Sequence, residues 1–112
     1  MDTRILNHFC EKTGNNLATI LLQTYKPADF EIDSEKIERE IYDLALSYAK
    51  IFFFESREFL SEESRSEVQQ YISTRFSTTE REVKKMKDIE LAAHWIKLEA
   101  IEQLRKHRIV LW

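Results

Sequence analysis

The chain has 112 residues, a net charge of −3, 43% hydrophobic residues and 33% charged ones. That length supports one domain with its own core, and the apolar fraction excludes a disordered segment. Acids and bases are interspersed, so no large single-sign field is on offer to nucleic acid or to an anionic membrane.

Only one Gly and one Pro occur, which leaves few tight turns and predicts long helices. The single Cys10 cannot close an internal disulfide and fits a reducing compartment. Asp2, Arg4 and Glu11 interrupt the N-terminal apolar residues, against a signal-peptide core, and no run approaches the roughly 18 apolar residues of a membrane span. A cytoplasmic location with no membrane partner is the expectation.

In chain order, Ile5, Leu6, Phe9 and Cys10 mark a first short helix over 3–13, with Gly14 placed to end it as a left-handed residue. Asn15 or Asn16 can cap a second helix from Leu17 to about Lys26, carrying Leu17, Ile20, Leu21 and Tyr25 on one face. Pro27 is expected to stop it and to open a loop reaching Ile32.

Asp33 then reads as an N-cap, with Ile32 and Ile37 at hydrophobic-staple positions. The helix that follows, about 34–60, is predicted to bury Ile37, Ile41, Leu44, Ala45, Tyr48, Ile51, Phe52 and Phe59. A second row, Tyr42, Leu46, Ala49 and Phe53, makes it two-sided. Ser61, with Glu62 and Glu63 behind it, caps a helix running to about Phe76 with Val68, Tyr71, Ile72 and Phe76 on one face.

Ser77 with Glu80, or Thr79 with Glu82, forms a capping box for a last long helix over about 79–108. Val83, Met86, Ile89, Ala93, Ile96, Ala100, Ile101, Leu104 and Leu111 form its core stripe, and Leu91, Trp95 and Leu98 a second row on the other side. The apolar end, Ile109 to Trp112, is expected to dock on this molecule or another. The fold class is therefore all-α: one compact bundle of four to five helices spanning 1–112, two of them long.

Chemistry is sparse. No acidic residue stands three positions before His8, His94 or His107, so the Glu-x-x-His pairs of di-iron bundles are missing. Glu90 and His94 sit one turn apart and are the best pair for catalysis, yet no second ligand lies at metal spacing. Cys10 falls on an apolar arc, as a buried inert thiol would. One Gly provides no phosphate-binding loop, so neither metal nor cofactor is expected, and an enzyme is the third reading.

Nucleic-acid binding, the second reading, would use Lys84, Lys85 and Lys87 together with Arg105, Lys106 and Arg108, provided the two clusters share a face. The first reading is a non-enzymatic protein-binding module, a small regulator, inhibitor or adaptor. Its surface would be Tyr42, Leu46 and Phe53, or Leu91, Trp95 and Leu98, and its partner another chain or a second copy in a homodimer.

Overall fold

In a computed structural model that describes residues 1–109 and 111, six helices follow one another. They are α1 (Thr3–Thr24), α2 (Pro27–Ile32), α3 (Ser34–Ser56), α4 (Glu62–Phe76), α5 (Glu80–Val83) and α6 (Asp88–Lys106). The described residues contain no strand, so the protein is all-α, with four full-length helices packed into a body of 42 × 29 × 20 Å.

α6 is the element on which the others are laid. Cys10 and Gly14 of α1 meet Ala92 and the Ile96–Ala100 turn of α6, so these two helices run parallel. α4 is parallel to α6 as well, since Arg65, Tyr71 and Arg75 reach Asp88, Trp95 and Glu99 in that order. α3 runs the other way. Its Glu38 pairs with Lys97 at 2.9 Å, and Phe52 stacks on Phe9 of α1 at 4.2 Å. With neighbours around most of its circumference, α6 buries Leu91, Ala92, Ala93, Trp95, Ile96, Ala100, Ile101 and Leu104 together. Both of its apolar rows are thus needed by the protein's own core.

The helix boundaries depart from the sequence pattern at several places. Gly14 does not terminate a helix; it lies inside the continuous 22-residue α1, fully buried and without positive φ. A Cβ built there would come within 2.4 Å of Glu99 Cβ, 3.0 Å of the Ile96 carbonyl oxygen and 3.1 Å of the Ala100 nitrogen. Its missing side chain serves a close helix crossing instead of a turn. Pro27 likewise starts a helix: it occupies the first position of α2, where its lack of an N–H costs nothing. The Asp29 carboxylate accepts the Lys26 N–H at 2.8 Å, and Phe30 is buried beneath, edge-on to Tyr25.

The left-handed cap positions fall to residues other than Gly. Arg57 ends α3 with φ 56°, Ser77 ends α4 with φ 53°, and Arg108 follows α6 with φ 63°. Ending α3 at Ser56 folds the chain back so that Phe59 stacks on Phe53 at 5.7 Å, leaving Phe59 mostly exposed and Leu60 buried. The last long helix is interrupted at 84–87, where turns of the 3₁₀ type replace the α pattern: Lys85 N–H donates to Glu82 O and Met86 N–H to Val83 O. Three lysines crowd this segment, and Asp88 restarts the helix as its first residue. The Asp88 carboxylate, almost fully buried, accepts the Leu60 N–H at 2.8 Å and Arg65 Nε at 2.7 Å. Ser61 caps α4 as expected, its hydroxyl accepting the Ser64 N–H at 3.1 Å.

At the chain end Ile109 and Leu111 are buried in the core, while Val110 and Trp112 lie outside the described residues.

The crossing makes a prediction with a definite sign. Gly14→Ala gains about 1 kcal/mol of helix propensity, but the new methyl meets backbone atoms that cannot rotate away, and such overpacking costs about 1–3 kcal/mol. Urea unfolding is expected to show a net loss of up to about 2 kcal/mol for G14A, towards the upper end because the nearest approach is only 2.4 Å. Asn16→Ala, on the exposed side of the same helix, gains a few tenths instead. A stabilised G14A would mean that the two helices can part without cost.

Candidate functional site

The six apolar residues singled out on sequence grounds divide into two groups in space. Phe53, Leu91 and Trp95 are buried in the core, so this fold does not present them to a partner. Their rows are consumed by contacts among α1, α3, α4 and α6. Tyr42, Leu46 and Leu98 are partly buried and pack against that core. Tyr42 borders an open groove between α3 and α6, shared with Glu38, Met86, His94 and Lys97. Leu98 borders a second groove between α6 and the α4–α5 connection.

The apolar side chains that face solvent on α3 are others. Leu44, Tyr48, Ile51 and Phe54, three of them expected in the core, stand 40%, 40%, 54% and 84% exposed. The core side of α3 is rotated from the expected arc and is made of Ile37, Ile41, Ala45, Ala49 and Phe53. The alanines explain the rotation. They let α3 approach its neighbours closely, which turns Leu44, Tyr48 and Ile51, at the i, i+4, i+7 spacing, to the outside.

Glu99, like Asp88, is a buried carboxylate that sequence reasoning missed. It is 0% exposed, on the α6 turn that faces Gly14. Arg75 of α4 closes on it with both guanidinium nitrogens: Nη1 on Oε1, and Nη2 on Oε2 at 3.1 Å. Arg75 also donates to the Tyr71 hydroxyl at 3.1 Å and to Glu102 at 3.3 Å, and Trp95 Nε1 donates to Glu99 at 3.3 Å. Burial works against the Arg75 charge, but the hydrogen bonds and charge of Glu99 outweigh it and raise the guanidinium pKa. A faint trace was in the sequence: Trp95, Glu99 and Glu102 share one helix face. Nothing local indicated that Arg75 would arrive there.

Cys10 lies under the same layer. Burial, with the Glu99 carboxylate adding to it, pushes its thiol well above the ordinary value, the opposite of an activated nucleophile. Glu90 and His94 make no hydrogen bond to each other among the described residues. Glu90 is exposed and acts on Tyr42, while His94 lines both grooves with Nε2 buried and unpartnered. Burial holds the His94 imidazole below its ordinary value, Lys97 pushes it the same way, and Glu82 opposes them. No group of three metal-ligating side chains occurs among the described residues.

The basic clusters are not brought together. Lys84, Lys85 and Lys87 precede α6 and Arg105, Lys106 and Arg108 end it, so the 19 residues of α6 hold them about 27 Å apart. Lys84 also pairs with Glu80 at 3.2 Å. Among the described residues no helix is long and apolar enough to cross a membrane.

These features define the class of the molecule: an all-α protein with two buried carboxylates paired to arginines and a row of exposed apolar side chains on α3, beside single ones such as Ile5, Ile20 and Ile32 elsewhere. Comparison with protein-family models, with curated proteins and with solved structures finds no match.

Two outcomes test the polar layer. Arg75→Met leaves the buried Glu99 carboxylate without its counter-charge and is expected to cost about 3 kcal/mol in denaturant unfolding, whereas R75M combined with Glu99→Leu recovers most of that loss. A single-variant cost under about 1 kcal/mol would show that the pair is solvated. For His94 the unfolded imidazole binds a proton near pH 6.5 and the folded one lower, so the unfolded state gains protons first as pH falls. Stability is expected to be full at about pH 7 and to decline as pH drops through about 6.5 towards the folded value. In His94→Gln that part of the pH slope disappears.

Proposed function

We propose that this chain is a non-enzymatic protein-binding module, acting as a small regulator, inhibitor or adaptor through the exposed apolar row of α3. The observation that carries the reading is the row itself: Leu44, Tyr48 and Ile51, flanked by Phe54, open to solvent on one 23-residue helix. Large apolar side chains contribute to folding only when water is removed from them, and contiguous exposed patches mark interaction sites far more often than scattered residues do. Tyr and Phe are also the side chains that anchor interfaces at low entropic cost. The buried thiol of Cys10, the absence of a hydrogen bond between Glu90 and His94 among the described residues, and the wide separation of the basic clusters favour binding of protein over chemistry or nucleic-acid recognition. A reducing cytoplasmic setting suits the unpaired Cys10.

A photoreactive side chain placed at Tyr48, in cells that make the protein, is expected to give a covalent adduct with a second polypeptide. The same group at Thr74, on the solvated side of α4, gives none. Adduct formation from position 48 should vanish in Leu44→Asp/Ile51→Asp, whose helix content stays that of the parent. No adduct from position 48, or one indifferent to that double change, would refute the reading.

A further inference from the structure

Resting on that reading, the exposed row can be taken one step further, to the kind of chain that covers it. Lys36, Glu40, Leu44, Tyr48, Ile51 and Glu55 follow one another at three- and four-residue spacings, a single ridge along α3. Lys50 and Asp43 flank it. Along the helix the charges therefore run basic, acidic, apolar middle, basic, acidic.

That order is its own complement when reversed. We propose that two copies of this chain pair through α3, antiparallel about a two-fold axis between Leu44 and Tyr48. In this register Leu44 of each copy lies on the partner's Tyr48. Lys36 meets the partner's Glu55, and Lys50 falls between the partner's Glu40 and Asp43. A two-fold interface is one surface used twice, so each favourable pair occurs twice.

Lys36, Asp43, Lys50 and Glu55 make no ion pair within the chain among the described residues, and all four are exposed. Glu40 uses one oxygen to accept the Tyr25 hydroxyl, which holds the carboxylate at the ridge. Size agrees as well. A standard interface takes about 800 Å² from each partner, about a tenth of the 7272 Å² this chain exposes. A helix flank about 35 Å long, widened by the exposed Ile20 of α1, is of that order. The antiparallel contacts Phe9 with Phe52 and Tyr25 with Glu40 set Ile20 level with Leu44 along the two helices.

Sedimentation equilibrium on the purified chain tests this with two charge variants, Lys36→Glu/Lys50→Glu and Asp43→Lys/Glu55→Lys. The parent is expected to dimerise with increasing concentration. Each variant alone places like charges opposite one another and should weaken self-association more than about 100-fold, while an equimolar mixture forms the 1:1 heterodimer. Tyr48→Lys, which buries no charge in the monomer, should also abolish the dimer. A parent that stays monomeric at millimolar concentration overturns the proposal. So does a dimer untouched by the variants, or a mixture that fails to pair. If the parent is monomeric yet position 48 still cross-links in cells to a chain of different mass, self-pairing is refuted while the protein-binding reading stands.

Discussion

The close crossing of α1 over α6 at Gly14 is the constraint on which the rest of the structure depends. With a hydrogen where other residues carry a Cβ, α1 comes down onto the Ile96–Ala100 turn until Glu99 is shut away from water. A carboxylate so enclosed requires a counter-charge, and Arg75 of α4 supplies it with a two-point grip. Asp88 repeats the device at the other end of α6, where it takes the Leu60 N–H and Arg65. α4 buries only Val68 and Ile72 fully, too thin an apolar face to define a register alone. Its position along α6 is therefore fixed by two ion pairs, ten residues apart on one helix and eleven on the other. Such pairs add less to stability than their Coulomb energy suggests, because each charge gave up its water. Their effect is to make other alignments of α4 leave a buried charge alone.

The fold class, the approximate positions of α3 and α4, the Ser61 cap and most of the α6 core were legible because helical periodicity and capping chemistry are local. What was not legible is what the local pattern leaves degenerate. A lone Gly reads equally well as a left-handed cap and as a crossing point, and only the arrival of α6 decides which. Pro27 fits both the end of one helix and the first turn of the next. Left-handed Arg57, Ser77 and Arg108 carry no composition mark, since none is a residue type that favours positive φ. The break at 84–87 accompanies the contacts of Asp88 with Leu60 and Arg65, which lie 28 and 23 residues away in the chain.

The α3 surface shows the same limit more sharply. Apolar residues lie on nearly all sides of this helix, so counting them could not say which arc faces inward. The small residues decided it. Ala45 and Ala49 offer almost no apolar area, yet they allow close approach, and the tight packing this permits turns the larger Leu44, Tyr48 and Ile51 out to solvent. The expected arc thus held Ile37, Ile41 and Ala45 of the true core but extended past it to Leu44, Tyr48 and Ile51 on the solvent side. The Trp95 row of α6 could be read either as core or as interface, because the neighbours that cover Leu91 and Trp95, α1 and α4, lie far away in sequence.

Because α3 is turned outward by its core contacts, its exposed row is held in place before any partner arrives. Near its start Glu38 is tied to Lys97 and Glu40 to Tyr25; near its end Phe52 stacks on Phe9 and Phe53 on Phe59. The helix between those anchors cannot roll without breaking the Ala45 and Ala49 contacts, so Leu44, Tyr48 and Ile51 keep one orientation. A partner meeting this surface would not have to order the backbone; what it would have to fix are side chains, Leu44, Tyr48 and Ile51 at small entropic cost and Lys36, Lys50 and Glu55 at a larger one. The same rigidity sets the geometry of recognition. A straight ridge of fixed charge order admits a helix laid along it in one direction and not the other, and that directional preference follows from residues whose places are set by the core and not by the surface.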